Sequence, residues 1–237
     1  MTQLRVFGEG HSAPATRSGR APRPRLLDAF CCQGGAGWGY GLAGFEVTGV
    51  DKDPQPRYPF RFVQADAIEF VREHGAEFDF IHASPPCQHY TLAQRIQHRD
   101  HPDLIAPTRA ALEATGRPWV IENVEDAAPE LRDPVTMCAA VFGMRTYRHR
   151  LFETGGGFTF TPPRHLPHLA PLTKMGRPRA EGHFAHYVGN FSGVQEARDD
   201  MRVPWMNRDG IRECIPPAYT QWIGTRAYAS LALREAA

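Results

Sequence analysis

Short apolar runs alternate with longer mixed segments from Arg25 onward, and this alternation limits the fold more than any other feature of the sequence. Five of the runs have the length and composition of buried strands. They cover residues 26–30, 45–51, 62–66, 78–84 and 119–121. Helical spacing is found between them, over residues 37–43, 67–74 and 103–115. Strand–helix alternation of this kind predicts an α/β fold with a doubly wound, mostly parallel sheet.

Composition divides the chain into four predicted segments. Residues 1–24 carry Gly, Pro, Ser and Arg without periodicity, which is typical of a flexible tail. Residues 25–151 hold the strand–helix alternation and form the predicted main domain. Residues 152–205 are interrupted by glycines, prolines and histidines, and they predict a small loop-rich lobe. Residues 206–237 return to a helix-compatible composition, and we expect them to pack back on the main domain.

The bulk properties are those of an ordinary globular protein, with 42% hydrophobic and 22% charged residues. No apolar run approaches the ~20 residues that are needed to cross a bilayer, and the N-terminus lacks the apolar stretch of a secretory signal. We therefore expect a cytoplasmic protein without a membrane partner. The five cysteines include no C-x-x-C pair, so a disulfide framework is not expected.

Basic residues are concentrated in one part of this chain, whose formal net charge is only +1. Seven of them lie between residues 145 and 179, against a single acidic residue, Glu153. They are Arg145, Arg148, Arg150, Arg164, Lys174, Arg177 and Arg179. A local basic stretch in a near-neutral protein indicates one surface that faces nucleic acid. The alternative is an ordinary solvated face of the protein.

A glycine-rich turn, residues 30–37, separates the first predicted strand from its helix. Turns of this kind let a ligand approach the backbone and its amide donors. Asp51 and Asp66 end the second and third strands, where carboxylates accept hydrogen bonds from ribose hydroxyls or an adenine amino group. Each aspartate is equally compatible with a helix cap or a turn.

A thiol and a carboxylate follow two further strands. Cys87 comes directly after Pro85 and Pro86, which stiffen the backbone before it, and Glu122 follows the Trp119 strand. Because ligands bind at the carboxyl ends of parallel strands, we expect both groups at one edge of the sheet. Together they suggest covalent attack on an electron-poor ring. A buried, inert cysteine and a strand-capping glutamate are the alternative interpretations.

Several short motifs occur in the order of the C5-cytosine DNA methyltransferase family, which the chain resembles over about residues 26–152. They are Asp28-Ala29-Phe30, Gly34-Gly35, Gly49-Val50-Asp51, Ala65-Asp66, Ser84-Pro85-Pro86-Cys87-Gln88, Glu122-Asn123-Val124 and Arg148-His149-Arg150. A weaker likeness is found at residues 212–217. The resemblance implies a Rossmann-like catalytic and cofactor-binding domain over residues 25–151 and a target-recognition lobe over residues 152–205.

The resemblance also implies the roles of four catalytic residues. Cys87 would be the nucleophile that adds to C6 of cytosine, and Glu122 would share a proton with N3. Arg150 would contact the cytosine carbonyl oxygen, and Arg148 would lie near the DNA backbone.

S-adenosylmethionine is the implied cofactor. Phe30 would stack on its adenine, with Asp51 at the ribose and Asp66 at the adenine amine. The remaining implied cofactor residues are Gln33, Gly34, Gly35 and Pro86. Several positions depart from the family pattern, since Cys32 replaces a usual glycine, Asp51 a glutamate, Lys52 an aromatic residue and Thr146 a glutamine.

Double-stranded DNA is the implied substrate, with the target cytosine swung out of the stack. The resemblance places Ser84, Gln88 and Asn123 beside the base, Asn123 as a brace for the catalytic loop. Residues 88–100 would form a loop that closes over the DNA. In the lobe, the implied DNA contacts are Arg164, Lys174, Arg177 and Arg179. The short lobe is compatible with both a monomeric and a dimeric enzyme. The compact size is typical of a phage or restriction-modification enzyme.

Two histidine pairs, His165-x-x-His168 and His183-x-x-His186, have the spacing of metal ligands. In the sequence, no cysteine or carboxylate completes either pair into a four-ligand set. The sequence therefore predicts no metal site.

Three other functions stay open at this stage. An amino-group DNA methyltransferase has a motif that resembles Ser-Pro-Pro followed by an aromatic residue, but it needs no thiol. A catalytically inactive DNA-binding protein of the same fold would not need Cys87, Glu122 and Arg150 together. A related enzyme that transfers another one-carbon group to cytosine would keep the covalent step.

Overall fold

The computed structural model describes residues 22–86 and 103–235. Its strands are β1 (Arg25–Ala29), β2 (Glu46–Asp51), β3 (Arg61–Gln64), β4 (Phe80–Ala83), β5 (Trp119–Asn123), β6 (Val135–Met137) and β7 (Arg150–Gly155). They form one seven-stranded sheet with the order β3-β2-β1-β4-β5-β7-β6. The first five strands coincide with the five predicted runs to within a few residues.

The sheet is mixed, with five neighbouring strands parallel. β1 pairs in parallel with β2 and β4, so that Leu27 lies opposite Thr48 on one side and Ile81 on the other. β3 and β5 extend the parallel part at either side, whereas β7 runs antiparallel to both β5 and β6. This is a doubly wound, mostly parallel, Rossmann-like sheet, and it confirms the predicted fold class.

The helices of the described residues lie on both faces of the sheet. They are α1 (Gly35–Leu42), α2 (Ala67–His74), α3 (Ile105–Ala114), α4 (Val194–Met201), α5 (Arg208–Glu213) and α6 (Pro217–Glu235). Successive strand residues point to opposite faces, so Leu26 packs in one apolar cluster and Leu27 in the other. Burial on both faces explains why these strands have nearly continuous apolar sequences. None of these helices is long and apolar enough to cross a membrane.

The C-terminal helix α6 packs directly on α1, the helix that follows the glycine-rich turn. A Cβ atom added at Gly39 would lie only 2.1 Å from both Pro217 O and Thr220 Oγ1. The two backbones therefore approach each other as closely as only glycine allows. The hydroxyl of Thr220 also donates to the carbonyl of Ala36 over 2.8 Å. Contacts of this kind bring the C-terminal part of the chain next to the turn.

The stretch between β7 and α4 has little regular structure. It contains an isolated parallel bridge between Leu172 and Phe184, and several of its glycines have positive φ. β7 runs through the domain boundary predicted between residues 151 and 152, so the loop-rich part begins after Gly155. Residues 1–21 of the predicted tail lie outside the described residues.

Candidate active site

A cavity of about 320 Å³ opens at the carboxyl ends of the central parallel strands. Residues that follow β1, β2, β4 and β5 line it, and the C-terminal segment 206–215 closes one side. This is the place where open α/β sheets bind their ligands. Most of the predicted site residues belong to its lining, namely Phe30, Gln33, Gly35, Asp51, Asp66, Ser84, Pro86, Glu122, Asn123 and Arg150.

The glycine-rich turn is held by backbone geometry and by the C-terminal segment. Gly34 has φ +83° at the start of α1, in the left-handed region that favours glycine. At Gly35 an added Cβ would meet Ile215 O at 2.5 Å. Gln33 is fixed by Asn207, because its Nε2 donates to Asn207 Oδ1 over 2.8 Å and its Oε1 accepts from Asn207 N over 3.1 Å. Gln33 thus joins the turn to the start of α5 in addition to lining the cavity.

Both aspartates predicted at the strand tips line the cavity, and both also hold the backbone. Asp51 is buried, and its two oxygens accept from Cys32 N over 3.0 Å and Asp53 N over 3.1 Å. Asp66 is the N-cap of α2, since its Oδ1 accepts from the amides of residues 68 and 69 over 2.9 and 3.0 Å. Asp66 is therefore a helix cap, as the alternative interpretation predicted, and it also lines the cavity.

A buried carboxyl group that the sequence did not single out lies beneath the turn. Asp28 Oδ2 accepts from Gly37 N and from the Tyr58 hydroxyl, each over 3.0 Å. Its other oxygen is buried and has no hydrogen-bond partner in residues 22–86 or 103–235. Burial raises the pKa of Asp28 from 3.8 to about 7, against the lowering effect of these two donors. No sequence signal reveals this shift, because it depends on how the fold encloses the group.

Glu122 and Arg150 form an ion pair at the cavity wall. Glu122 is on β5 and Arg150 begins the antiparallel neighbour β7, so the pairing of these strands brings the two side chains together. Arg150 Nε lies 2.9 Å from Glu122 Oε1, and the two side chains are 12% and 7% exposed. Burial raises the pKa of Glu122, and the charges of Arg150 and Arg148 and a hydrogen bond with Ser84 partly offset that rise.

A chain of buried polar groups extends from the cavity into the sheet. Ser84 Oγ lies 2.9 Å from His82 Nε2, and His82 Nδ1 lies 3.0 Å from the hydroxyl of Tyr40. Burial lowers the pKa of His82 from 6.5 to about 3, so this imidazole is neutral at physiological pH. Ser84 therefore joins Glu122 to a neutral, buried network.

Asn123 braces the segment that leads to the predicted nucleophile. Its Nδ2 donates to Pro85 O over 2.9 Å, and its Oδ1 accepts from Val124 N over 2.9 Å. The bond to Pro85 crosses from β5 to the residues after β4 and fixes their backbone. Cys87 and Gln88, like the loop predicted over residues 88–100, lie outside the described residues. Pro86 lines the cavity and is the residue immediately before Cys87.

Arg148 binds backbone carbonyls within the protein. Its guanidinium is buried and donates to four backbone carbonyls, those of Tyr187 (3.0 Å), Ile211 (3.1 Å), Arg212 (2.7 Å) and Cys214 (2.8 Å). Three of these carbonyls belong to the last turn of α5 and its C-cap, where helix geometry leaves carbonyls available; that of Ile211 also accepts from Cys214 N. All of these partners are backbone carbonyls of the protein, so Arg148 holds the C-terminal segment against the start of β7, and its predicted place near the DNA backbone stays a prediction. Burial, and then the charge of Arg150, lowers its pKa to about 10, so it stays protonated.

The basic residues of the loop-rich stretch divide into two groups. Arg164, Lys174 and Arg177 are exposed. Arg179 is half-buried, forms an ion pair with Glu196 and donates to His183 O over 3.3 Å. The first three are accessible to a polyanion, whereas Arg179 serves mainly to hold the loop on α4.

The structure corrects the prediction about histidine pairs. Cys138 and His149 come next to His165 and His168, and together they form a compact group of metal-ligating side chains. Spacing along the sequence did not reveal this group, because its members come from the end of β6, the start of β7 and the loop after β7. His183 and His186 are not members of the group.

Comparison with known proteins gives a limited likeness. No protein-family model matches the chain. It is 24% identical over 192 residues to the Type II methyltransferase M.AquIA of Picosynechococcus sp., a match that covers 60% of this chain and 77% of the relative.

Solved methyltransferase structures match part of the chain. The S. pombe Dnmt2 methyltransferase matches with a TM-score of 0.43 and 16% identity over 60% of this chain and 52% of its own. The SAM-dependent methyltransferase from Agrobacterium tumefaciens gives a TM-score of 0.34 and 17% identity over 57% and 56%. The 1,6-didemethyltoxoflavin-N1-methyltransferase of Burkholderia thailandensis gives 0.36 and 19% over 56% and 70%. The chain thus spans about half the length of the first two structures.

Proposed function

We propose that this protein transfers a methyl group from S-adenosylmethionine to C5 of cytosine in DNA. One observation carries the proposal, which is that the buried Glu122–Arg150 pair shares a cavity with Pro85 and Pro86, the residues that lead directly to Cys87. The similarity to a Type II methyltransferase supports methyl transfer independently of these residues.

The cavity residues fit S-adenosylmethionine, which supplies an electrophilic methyl group when it is bound. Phe30 offers an aromatic face, and Asp51 and Asp66 offer carboxylate oxygens at neighbouring strand tips. The amides that hold Asp51 use only part of the lone pairs of its oxygens, so it still accepts from ribose hydroxyls.

The chemistry proposed for the chain's own groups begins with the Cys87 sulfur. Its thiolate forms a bond to C6 of cytosine, and the displaced electron pair moves towards N3 and C5 of the ring. Glu122, in its protonated form, shares its proton with N3 as charge grows there, and Arg150 stabilises the adjacent carbonyl oxygen. C5 takes the methyl group from the cofactor, which is left as its neutral thioether. Loss of the C5 proton to solvent then re-forms the C5–C6 double bond and expels the Cys87 thiolate, as the N3 proton returns to Glu122. The raised pKa of Glu122 favours the protonated form that this role needs.

Double-stranded DNA is the proposed partner, with the target base extruded into the cavity. Arg164, Lys174 and Arg177 are exposed on the stretch after β7, the same strand that Arg150 begins. Exposed cations on this stretch are suited to phosphate contacts, which position a duplex without reading its sequence.

A covalent trapping experiment tests the proposal. A duplex with 5-fluorocytosine replaces the C5 proton by fluorine, so the adduct cannot eliminate after methyl transfer and stays attached to the enzyme. We expect a denaturation-resistant complex with wild-type protein and S-adenosylmethionine, and none with Cys87→Ser or without the cofactor. An active enzyme that yields N4-methylcytosine and no trapped complex would favour the amino-group alternative and refute the covalent mechanism.

A further inference from the structure

Four metal-ligating side chains converge near the point where β6 ends and β7 begins. They are Cys138, His149, His165 and His168, and one ligand atom from each lies within 4.8 Å of the other three. Cys138 follows β6, His149 precedes β7, and the two remaining histidines are on the loop after β7. Three separate segments thus bring nitrogen and sulfur atoms to one point.

Three of the six distances between these atoms are those of ligands around one ion, and the other three are no longer than 4.8 Å. His149 Nε2 lies 3.1 Å from His165 Nε2 and 3.2 Å from His168 Nε2, and His168 Nε2 lies 3.5 Å from Cys138 Sγ. Zinc–nitrogen bonds of about 2.0–2.1 Å and zinc–sulfur bonds of about 2.3 Å at tetrahedral angles place two nitrogens about 3.3 Å apart, and nitrogen and sulfur about 3.6 Å apart. The observed separations agree with both values to within a few tenths of an ångström.

Hydrogen bonding among the rings does not account for this arrangement. Glu125 Oε1 lies 2.9 Å from His149 Nδ1, so Nδ1–H donates to this carboxylate and Nε2 of the neutral ring carries a single lone pair. One lone pair cannot accept two good hydrogen bonds, yet His149 Nε2 faces the Nε2 atoms of both His165 and His168. A cation at the centre satisfies all three nitrogens at once.

The surroundings hold the ligands in orientation. A carboxylate on the far nitrogen of a ligating histidine, as Glu125 is on His149, fixes the tautomer and raises the basicity of the ligand. The ring of Tyr147 stacks on His168 with centroids 3.6 Å apart and an interplanar angle of 16°. The Tyr147 hydroxyl in turn donates to Ala170 O over 2.7 Å, so the ring that supports His168 is itself anchored.

We propose that Cys138, His149, His165 and His168 bind one zinc ion. A set of one thiolate and three imidazoles suits zinc, whose four-coordinate tetrahedral sites use these ligands. Four protein ligands leave no open position for a substrate, so the ion is structural. It joins the loop around residues 165–168 to the start of β7, one residue from Arg150, and so supports the cavity wall from outside.

Metal analysis of the full chain tests this site directly, and metal binding here does not depend on the proposed methyl transfer. We expect one zinc per chain after purification without chelators. Replacement by Co²⁺ should give the visible d–d bands of a tetrahedral ion together with a thiolate-to-cobalt charge-transfer band. Cys138→Ser should remove the charge-transfer band, and His165→Ala should abolish stoichiometric binding. His165 is exposed, so its replacement is compatible with folding.

Two further variants separate ligand geometry from general effects. His186→Ala removes an exposed histidine of the other His-x-x-His pair and should keep one metal per chain. Glu125→Gln should bind zinc roughly 10–100-fold more weakly, because the carboxylate that orients His149 is lost. The proposal is overturned if zinc- and cobalt-treated wild-type protein retains no metal, if the cobalt spectrum lacks the thiolate band, or if His165→Ala binds as tightly as His186→Ala.

Discussion

Arg150 Nε lies 2.9 Å from Glu122 Oε1, and both side chains are almost completely withdrawn from solvent. A charge this close favours the ionised carboxylate, yet desolvation outweighs it and the pKa of Glu122 is raised. The carboxyl group therefore holds a proton more readily than an exposed glutamate, while Arg150 restrains its position. Proton transfer to a ring nitrogen requires an acid of this kind, with a raised pKa and a fixed position.

Glu122→Gln tests the acid role. The amide keeps the shape and a hydrogen-bond donor but has no ionisable proton, so we expect the rate of methyl transfer to fall roughly 10²–10⁴-fold. DNA affinity, measured by fluorescence anisotropy, should stay near wild type. Glu113→Gln, which removes an exposed carboxylate on α3, is the matched control and should leave both quantities unchanged. Near-normal turnover in Glu122→Gln would exclude Glu122 as the proton donor.

Asn123→Ala tests the brace on the segment before Cys87. Loss of the 2.9 Å bond from Asn123 Nδ2 to Pro85 O frees the backbone that presents the thiol. We expect kcat to fall by about tenfold or more while KM for DNA changes little, because the loss concerns positioning rather than binding. Asn190→Ala, at an exposed side chain that contacts Arg208, should change neither parameter. A rise in KM at constant kcat would instead indicate that Asn123 contacts the DNA.

Two buried groups give the folding free energy opposite pH dependences. The raised pKa of Asp28 contributes stability at low pH, which is lost as pH rises from 3.8 to about 7. The lowered pKa of His82 contributes stability above pH 6.5, which is lost as pH falls towards about 3. Each slope is on the order of 1.4 kcal/mol per pH unit, so over the shared window the two largely cancel.

Asp28→Asn should remove that cancellation. The side-chain carbonyl of the substituted amide keeps the position that accepts from Gly37 N and the Tyr58 hydroxyl, so the turn should fold. The free energy of unfolding, measured in urea, should then rise more steeply with pH than in wild type. Relative to wild type, the variant should gain on the order of 1–3 kcal/mol between about pH 5 and pH 7. For Asp126→Asn, at an exposed position, the free energy of unfolding should change with pH as it does in wild type. If Asp28→Asn also shows the wild-type pH dependence, the pKa of Asp28 is not raised.

The sequence predicted the parallel half of the sheet well because strands buried on both faces read as apolar runs, as Leu26 and Leu27 illustrate by packing in opposite clusters. It did not predict the antiparallel β7 or its short partner β6, since three residues of β6 carry no periodic signal. It also predicted most residues that line the cavity, because they follow the ends of parallel strands and the topology brings these ends to one edge of the sheet.

The features that escaped sequence analysis depend on tertiary placement. The pKa of Asp28 is raised by enclosure, and Arg148 is buried where its guanidinium donates to carbonyls at the end of α5. Cys138 and His149 join the pair at His165 and His168 only because the loop after β7 returns to the start of that strand. Spacing along the chain carries none of this information.

The buried ion pair between Arg109 and Glu153 should make the fold sensitive to the loss of one partner alone. Arg109 on α3 makes two bonds to the carboxylate, of 2.6 and 2.7 Å, and both side chains are buried. Arg109→Met leaves the Glu153 charge unpaired and should lower the free energy of unfolding by about 3–5 kcal/mol. Measurement in urea near neutral pH checks the value.

The double variant Arg109→Met/Glu153→Gln identifies the cause of that loss. The amide that replaces the Glu153 carboxylate carries no charge, and its oxygen still accepts from Arg132 N, a bond of 2.9 Å in the wild type. The double variant should therefore recover most of the stability that the single variant loses, because an uncompensated buried charge costs more than a missing pair. If the two variants are equally unstable, the loss comes from packing around Arg109 and its bond to Glu130 O, and the charge of Glu153 is not the main cause.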